Sequence, residues 1–271
     1  MSGFAPLADF DRPPVVETVL SVQFEKLTTM QAVHFGVFWR GMQAQFPVTT
    51  EHSPLPPVIE LFPESPQQMP RVRFEAMEKR PLSRLWLVNA AGSELIQLQN
   101  DRFIKNWRKQ ADHDHYPHYE PVIKPAFERD FQHFESFVAE ERLGAIKITQ
   151  CEVSYINHIV SGDGWDDFSE FQRIFTVGTY AQAPIPGRAD EFAIRLRFPI
   201  HDDHGQPIGR LHVEIEPALH AADNRRMYVL NLTARGQAGN HYEFFDIGRR
   251  WIVNAFEQLT TEHMHRFWRK K

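Results

Sequence analysis

The clearest hydrophobic pattern in this chain has a period of two and spans residues 151–160, just past the midpoint. One face of this segment consists of Cys151, Val153, Tyr155, Asn157 and Ile159. A mainly apolar face at alternate positions is typical of a half-buried strand. A similar face near the N-terminus consists of Val16, Thr18, Leu20, Val22 and Phe24. Aligning Glu17 with Glu152 superposes the two patterns, which predicts an internal repeat.

Helical patterns follow both of these strands. A helix is predicted from Thr28 or Thr29, either of which can cap it, to about Gln45, with Pro47 beyond its end. A shorter helix is predicted after Asp163-Gly164, closed by Gly178. Long helices are predicted over 119–143 and 242–267. Their apolar seams are Ile123, Phe127, Phe131, Phe134 and Val138 in the first, and Ile252, Phe256, Leu259 and His263 in the second.

Short strands are predicted between the helices of each half. In the first half they cover 58–62, 71–77, 84–88, 94–99 and 102–109, and the proline-rich segment 48–57 is predicted to be a loop. In the second half they cover 191–198, 208–216 and 226–235. Both long helices are preceded by the same triplet, His-Tyr-Glu, at 118–120 and 241–243. The common order is strand, helix, three or four strands, long helix.

These elements predict an α+β fold made of two pseudo-repeats, residues 1–145 and 146–271. Each would be a curved antiparallel sheet packed on its long helix, and the two would form one compact unit. With 271 residues, of which 42% are hydrophobic, the chain is long enough to bury a large core.

Composition indicates the cellular compartment of the protein more clearly than its activity. The net charge of -5 provides no global attraction to nucleic acid or to an anionic membrane. The single cysteine, Cys151, excludes an internal disulfide, and its position on the strand predicts a small buried side chain. The N-terminus lacks the features of a secretory signal, and no run reaches the roughly 18 apolar residues of a membrane span. A cytoplasmic protein is expected.

The first candidate binding surface is the basic and aromatic strand 102–109. Its candidate residues are Arg102, Lys105, Asn106, Trp107 and Arg108. Guanidinium groups bind phosphate or carboxylate, and an indole ring stacks on bases, so this mixture suits nucleic acid. The alternative is a partly buried strand, with Phe103 and Trp107 in the core and the cations in salt bridges.

The second candidate surface lies on the later strands. Arg195, Arg197 and Arg210 alternate with apolar residues, as do His212 and Arg235, and would converge if the strands are neighbours. Glu214 and Glu216 share the face of Arg210 and would partly neutralise it. The alternative is therefore a solvated face of ion pairs.

Two polar residues of strand 151–160 are also candidate ligand-binding residues. Asn157 interrupts the apolar face, where its amide must find hydrogen-bond partners or orient a ligand, and His158 is its neighbour. The segment 112–118 is rich in histidine and aspartate, but its spacing matches no metal-site motif, so no metal is predicted. No hydrolase, phosphate-loop, zinc-protease or dinucleotide motif is present, and no cofactor is predicted.

Five motifs resemble a sporadically distributed family of uncharacterised bacterial proteins. They are PPVVE at 13–17, PLPP at 54–57, DRFIKNWRK at 101–109, YPHYE at 116–120 and QCEVSYINHI at 150–159. The resemblance spans most of the chain and implies a bacterial cytoplasmic protein, carried with mobile or defence-related genes. It implies no reaction and no catalytic residues. The order of elements is also similar to the doubled fold of the TATA-binding protein and to helix-grip ligand carriers, in topology alone.

Two functions are compatible with these patterns. The first is a non-enzymatic protein that binds nucleic acid or a protein partner, in a bacterial defence or toxin–antitoxin-like module. The second is a small-molecule binder or an enzyme of unfamiliar type, with a cavity between the sheet and a long helix. A homodimer is compatible with both functions.

Overall fold

The computed structural model describes residues 6–60, 62, 82–111, 113–177, 192–202, 204–237 and 240–271, and their strands form one open antiparallel sheet. The strands are β1 (Val15–Phe24), β2 (Val48–His52), β3 (Arg84–Val88), β4 (Glu94–Gln99), β5 (Arg102–Arg108), β6 (Ile148–Val160), β7 (Ile194–His201), β8 (Pro207–Leu219) and β9 (Arg226–Gly236). Their order across the sheet is β2-β3-β4-β5-β1-β6-β9-β8-β7. The α+β class predicted from the sequence is confirmed.

Five helices accompany these strands within the described ranges. They are α1 (Ala32–Met42), α2 (Lys124–Glu140), α3 (Phe171–Ile174), α4 (His241–Leu259) and α5 (Glu262–Phe267). A π-helical turn, Tyr119–Ile123, precedes α2, and a 3₁₀ turn, Phe168–Glu170, precedes α3. Of the helices described, none is both long and apolar enough to cross a membrane.

The two strands with the period-two pattern, β1 and β6, lie side by side at the centre of the sheet. Their register places Leu20 opposite Val153 and Thr18 opposite Tyr155. Because side chains alternate along a strand, these residues share one face, which we call the apolar face. The opposite side, which we call the polar face, carries Glu17, Ser21 and Gln23 on β1. The sheet therefore has one face for helices and one for polar contacts.

Helix α2 packs on the apolar face of the first half through its predicted phenylalanine seam. Phe127, Phe131 and Phe134 are fully buried. The Phe134 ring lies 5.5 Å from the ring of Phe103 on β5 and 5.8 Å from that of Phe24 on β1. Aromatic side chains at i, i+4 and i+7 meet the sheet together because they lie on one side of a helix.

Helix α4 lies against the second half of the same face. Gly248 is its closest point, since a Cβ there would stand 3.1 Å from the Cβ of Ala234 and 3.2 Å from the Cγ2 of Val153. Ile252, Phe256 and Leu259 of the predicted seam are buried. A glycine at the contact lets the helix backbone approach the strands directly.

Three predicted segments differ from the observed strands of the first half. The predicted loop 48–57 begins with an edge strand, β2, which pairs with β3 through Val48 and Val88. The prediction of a strand at 58–62 was wrong for residues 58–60, which are irregular and belong to none of the described strands. The strand predicted at 71–77 lies outside the described residues.

The predicted helices of the second half are interrupted or shortened. The helix predicted at 242–267 ends at Leu259, where the Thr260 hydroxyl donates to the carbonyl of Phe256 and Thr261 caps α5. The helix predicted after 163–164 is only the 3₁₀ turn and one turn of α3. Both interruptions occur where hydroxyl or carboxylate side chains satisfy backbone groups locally, in competition with the helix.

Candidate functional site

A cavity of about 410 Å³ lies between α4 and the apolar face of the sheet. Tyr155 and Asn157 of β6 and Leu232 of β9 form its floor, and the α4 side contributes Arg249, Ile252, Val253 and Phe256. The segment 7–10 and the turn 118–121 complete the wall. The volume falls within the roughly 300–1,000 Å³ typical of small-molecule sites.

Polar groups converge at one side of this mainly apolar cavity. The hydroxyls of Tyr116 and Tyr155 are 2.7 Å apart and hydrogen bonded. Burial, together with the neighbouring Tyr155, raises the pKa of Tyr116 well above its usual value, and burial raises that of Tyr155. Both phenols therefore remain protonated near neutral pH. One of them donates its proton to the other, so the pair has one hydroxyl proton left to donate to a ligand.

Arg249 contributes a positive charge to the cavity wall. Its guanidinium lies 4.9 Å from the centre of the Tyr119 ring, and its Nη1 lies 3.4 Å from a carboxylate oxygen of the exposed Glu120. Its Nε is buried and has no hydrogen-bond partner among the described residues. The guanidinium therefore places charged donors beside the cavity, and charged donors form stronger hydrogen bonds with a polar or anionic group than neutral donors do.

The backbone beside the cavity is irregular. His118 has a φ of 60°, which is uncommon for a residue with a Cβ, and the next five residues form the π-helical turn. Both features cost energy locally, and π-helical turns are frequent at functional sites. Tyr119, in this turn, donates to Asp246 of α4, which also pairs with Lys124. The strained turn is thus fixed to the helix that covers the cavity.

The two predicted residues of β6 lie on opposite faces. Asn157 lines the cavity, and its amide donates to the carbonyl of Leu230 at 3.1 Å. His158 lies on the polar face, in a separate cleft that also contains Arg108 and His220. Burial and the nearby His220 lower the pKa of His158. The structure therefore does not bring Asn157 and His158 into one site.

The predicted residues of β5 divide in the same way. Lys105, on the apolar face, is buried and forms two 2.6 Å ion pairs, with Glu94 of β4 and Asp130 of α2. Asn106, on the polar face, is buried between Gln97 and Glu17 and is hydrogen bonded to both. These contacts match the alternative in which the strand is part of the core.

Trp107 and Arg108 are half-buried at the end of β5. The Trp107 ring makes an edge-to-face contact with Tyr116, 6.0 Å between centres. The Arg108 guanidinium lies 5.6 Å from the ring of Trp86 on β3, which stacks on His52 of β2. Trp107 therefore contacts a residue that lines the cavity, whereas Arg108 lies on the polar face.

The predicted cations of the later strands do share the polar face. Arg195 pairs with Glu216 at 3.1 Å and approaches Glu214, as the solvated alternative requires. Arg197 stands opposite His212 in the β7–β8 register, and Arg210 stands opposite Arg235. Arg210 has an unexpected partner, Glu60, at 2.6 Å.

Glu60 ends a segment, residues 55–60, that crosses the polar face and that we call the strap. Its backbone bonds to glutamine side chains of successive strands: Leu55 N–H to Gln99, Val58 N–H to Gln23 and Glu60 N–H to Gln150. Sequence reasoning missed this arrangement. The prolines at 54, 56 and 57 favour an extended segment, but only the sheet register reveals what it crosses.

The histidine-rich segment forms a turn in the described part of the chain. Asp114 accepts hydrogen bonds from the backbone N–H groups of Gln110 and Ala111. Among the described residues, which do not include Asp112, no group of three potential ligands is arranged to hold a metal ion.

Comparisons of this chain with protein-family models, with curated proteins and with solved structures found no match.

Proposed function

We propose that this protein binds a small amphipathic molecule in the cavity between α4 and the sheet. The observation that carries the proposal is a cavity of about 410 Å³ whose apolar walls meet a cluster of polar groups at one side. This combination is characteristic of small-molecule sites, because apolar area contributes affinity and a few polar groups fix orientation.

The cavity residues divide into two roles under this proposal. Ile252, Val253 and Leu232 would contact the apolar body of the ligand. Arg249 and the Tyr116–Tyr155 pair would bind its polar end. No nucleophile or acid–base pair is assigned, so the proposal is binding without a reaction.

Filling the cavity tests this proposal. Val253→Trp places an indole where the ligand would lie. Wild-type protein purified gently and analysed by native mass spectrometry is expected to carry one small molecule per chain, and the variant is expected to carry none. Adding the released molecule at one hundred times its Kd should stabilise the wild type by about 2.7 kcal/mol and leave Val253→Trp unchanged.

Val37→Trp is the matched control, because Val37 is 43% exposed on α1, away from the cavity residues. It should bind as the wild type does. Equal binding by Val253→Trp and wild type would contradict the proposal. So would a wild-type protein that carries no small molecule and gains no thermal stability from any compound of an amphipathic fragment library.

A second candidate function is binding of a macromolecular partner, nucleic acid or protein, at the polar face. One observation favours it: the helices that touch the sheet pack on the apolar face, and the polar face already holds an extended segment through side-chain contacts. A cytoplasmic role in a bacterial defence module, implied by the family resemblance, is compatible with this function.

We also propose that residues 1–145 and 146–271 are two copies of one unit, with a topology like that of the TATA-binding protein. The strand order supports this, since β1 and β6 are each flanked by the last strand of their own half, β5 and β9. The register supports it too: the aligned Glu17 and Glu152 stand opposite Arg108 and Arg235, respectively.

A further inference from the structure

The strap lies on a row of polar side chains that the sheet register aligns across four strands. Gln99 of β4 stands opposite Arg102 of β5, Arg102 opposite Gln23 of β1, and Gln23 opposite Gln150 of β6. All four side chains are buried. The row therefore runs perpendicular to the strands, as the strap does.

The spacing of the row matches an extended proline-rich segment. Gln99 and Gln23 are separated by two strand spacings, about 9.6 Å. Leu55 and Val58, which bond to them, are three residues apart, about 9.3 Å in a polyproline II conformation. That conformation has no internal hydrogen bonds, so each backbone group is available to the row.

The row recognises the strap mainly through its backbone. Gln99 both accepts from the N–H of Leu55, at 2.9 Å, and donates to its carbonyl, at 3.2 Å. Arg102 donates to the carbonyl of Pro56 at 2.9 Å. These contacts do not depend on the side chains of the strap, so another extended segment of similar shape can make them.

At one end of the row, two arginines and a histidine recognise a carboxylate. The Glu60 side chain is hydrogen bonded to Arg210 at 2.6 Å and to His212, and Arg235 Nη1 lies 3.5 Å from it. Arg235 also binds Glu152 at 2.6 Å. A guanidinium and an imidazole directed at the same carboxylate form a charge-assisted site.

The strap leaves two donors of the row unused. Arg102 Nε and Gln150 Nε2 are buried and have no hydrogen-bond partner within the described part of the chain. A buried donor without an acceptor is unfavourable, because it has lost its hydrogen bond to water without gaining another. A segment that supplied acceptors at these two points would bind the row better than the strap does.

We propose that the polar face is a binding site for an extended, proline-rich segment of a partner protein that carries an acidic residue. The strap occupies this site within the same chain and is displaced when the partner segment binds. This inference rests on the second candidate function, binding of a macromolecular partner, and is independent of the cavity.

A peptide fits this surface better than nucleic acid does. Cations of the face are opposed by carboxylates of the sheet itself, as Arg195 is by Glu216 and Arg235 is by Glu152. Nucleic-acid affinity depends on unneutralised cations that replace counterions along the phosphate backbone. The glutamine row, in contrast, matches the alternating donors and acceptors of a peptide backbone.

The test uses the strap itself as the probe. A peptide of residues 53–60, acetylated and amidated so that Glu60 carries its only charge, is titrated into the full-length Glu60→Gln protein. Glu60→Gln weakens the internal strap while leaving the row intact. The expected result is binding at least about tenfold tighter than to wild type, because an attached strap competes at an effective concentration of the order of millimolar.

A control peptide and a control protein variant test whether the peptide binds at the site of the strap. The same peptide with glutamine at its last position should bind the Glu60→Gln protein at least about tenfold more weakly, because a neutral amide forms weaker hydrogen bonds with Arg210 and Arg235 than a carboxylate does. Ile59→Ala, at a strap position that is 51% exposed, should bind the peptide no better than wild type. Circular dichroism establishes that each variant is folded.

Three results would overturn the inference. The first is a folded Glu60→Gln protein that does not bind the peptide, and the second is equal affinity for the glutamate and glutamine peptides. The third is tight binding of a single-stranded oligonucleotide without peptide binding. The third result would support a macromolecular partner at this face but exclude a peptide as that partner. It therefore distinguishes failure of this inference from failure of the second candidate function.

Discussion

At the scale of single residues, Glu60 is a charged group in a place that disfavours charge. Burial raises the pKa of its carboxyl, but the hydrogen bonds and charges of His212, Arg210 and Arg235 more than offset burial, so the pKa lies below its usual value. Glu60 belongs to the first half of the chain and these partners to the second. Its ionisation therefore contributes to holding the two halves together.

The sign of the pH dependence follows from that lowered pKa. A group with a lower pKa in the folded state stabilises the protein above its unfolded pKa, near 4.5 for glutamate, and loses this effect as the pH falls through the folded value. Glu60→Gln should lower the free energy of unfolding at pH 7 by the order of 3 kcal/mol. The difference between wild type and variant should shrink as the pH falls from about 5 towards 3.

Urea denaturation across this pH range measures the difference directly. Glu51→Gln on the edge strand β2 is the matched control, because Glu51 is exposed and has no ion pair among the described residues. It should change stability by less than about 0.5 kcal/mol at every pH. A penalty for Glu60→Gln that stays constant with pH would contradict the role given to the charge.

At the scale of elements, α4 packs closely on the sheet because Gly248 has no side chain. A Cβ there would meet Ala234 and Val153 at 3.1 and 3.2 Å. Gly36 of α1 offers the opposite case, since a Cβ there would have no neighbour within 4 Å. Substitutions at these two glycines therefore measure two effects separately, close packing at Gly248 and helix propensity at Gly36.

Substitutions at these glycines should have opposite effects on stability. Gly248→Val forces α4 away from β6 and β9 and should cost about 1–3 kcal/mol, as overpacking does. Gly36→Ala should stabilise the protein by about 0.4–1 kcal/mol, because alanine favours a helix more than glycine does. Urea midpoints at equal slopes give both values. A Gly248→Val protein as stable as wild type would mean that the contact is loose.

The sequence predicted elements well wherever burial imposes a period. The seam of α2 was predicted correctly, since Phe127, Phe131 and Phe134 repeat at helical spacing and are all buried. Strand β2 was missed because it lies at the edge of the sheet with Thr49, Thr50 and Glu51 exposed, so burial imposes no alternation. The end of α4 was missed because the hydroxyl of Thr260 acts locally, within an otherwise helical pattern.

The candidate sites were less predictable than the fold, for a geometric reason. A cavity between the sheet and a long helix was part of the second of the two functions considered from the sequence, and Asn157 lines the observed cavity. Arg249 was not singled out, since its position depends on how α4 packs. The glutamine row was not predicted because Gln99, Gln23 and Gln150 are far apart in the chain and meet only through the register of β4, β5, β1 and β6.

At the scale of the whole molecule, the two halves share the centre of one sheet. The β1–β6 pair runs through nine registered positions, from Val15 with Asn157 to Phe24 with Ile148. Phe24 and Cys151 are buried. Separating the halves would leave each of these central strands with one unpaired side.

Residues 1–145 and 146–271, produced separately, are therefore expected to be unfolded or aggregated. Produced together, they should form a one-to-one complex with the strand content of the intact chain, because β1 and β6 can then pair. Size-exclusion chromatography and circular dichroism distinguish these states. A half that is monomeric alone and unfolds cooperatively would indicate an independent domain instead.

The order of the strands has a consequence for solubility. Among the strands that the structure describes, β2 and β7 are the outer two, and the outer strands of an open sheet have backbone groups that a strand from another molecule can pair with. β2 is only five residues long, and β7 carries Arg195, Arg197 and Pro199. The short length of β2, and the positive charges and missing proline N–H of β7, all disfavour pairing with another molecule. The two outer strands therefore protect the sheet from adding strands and growing into a fibril.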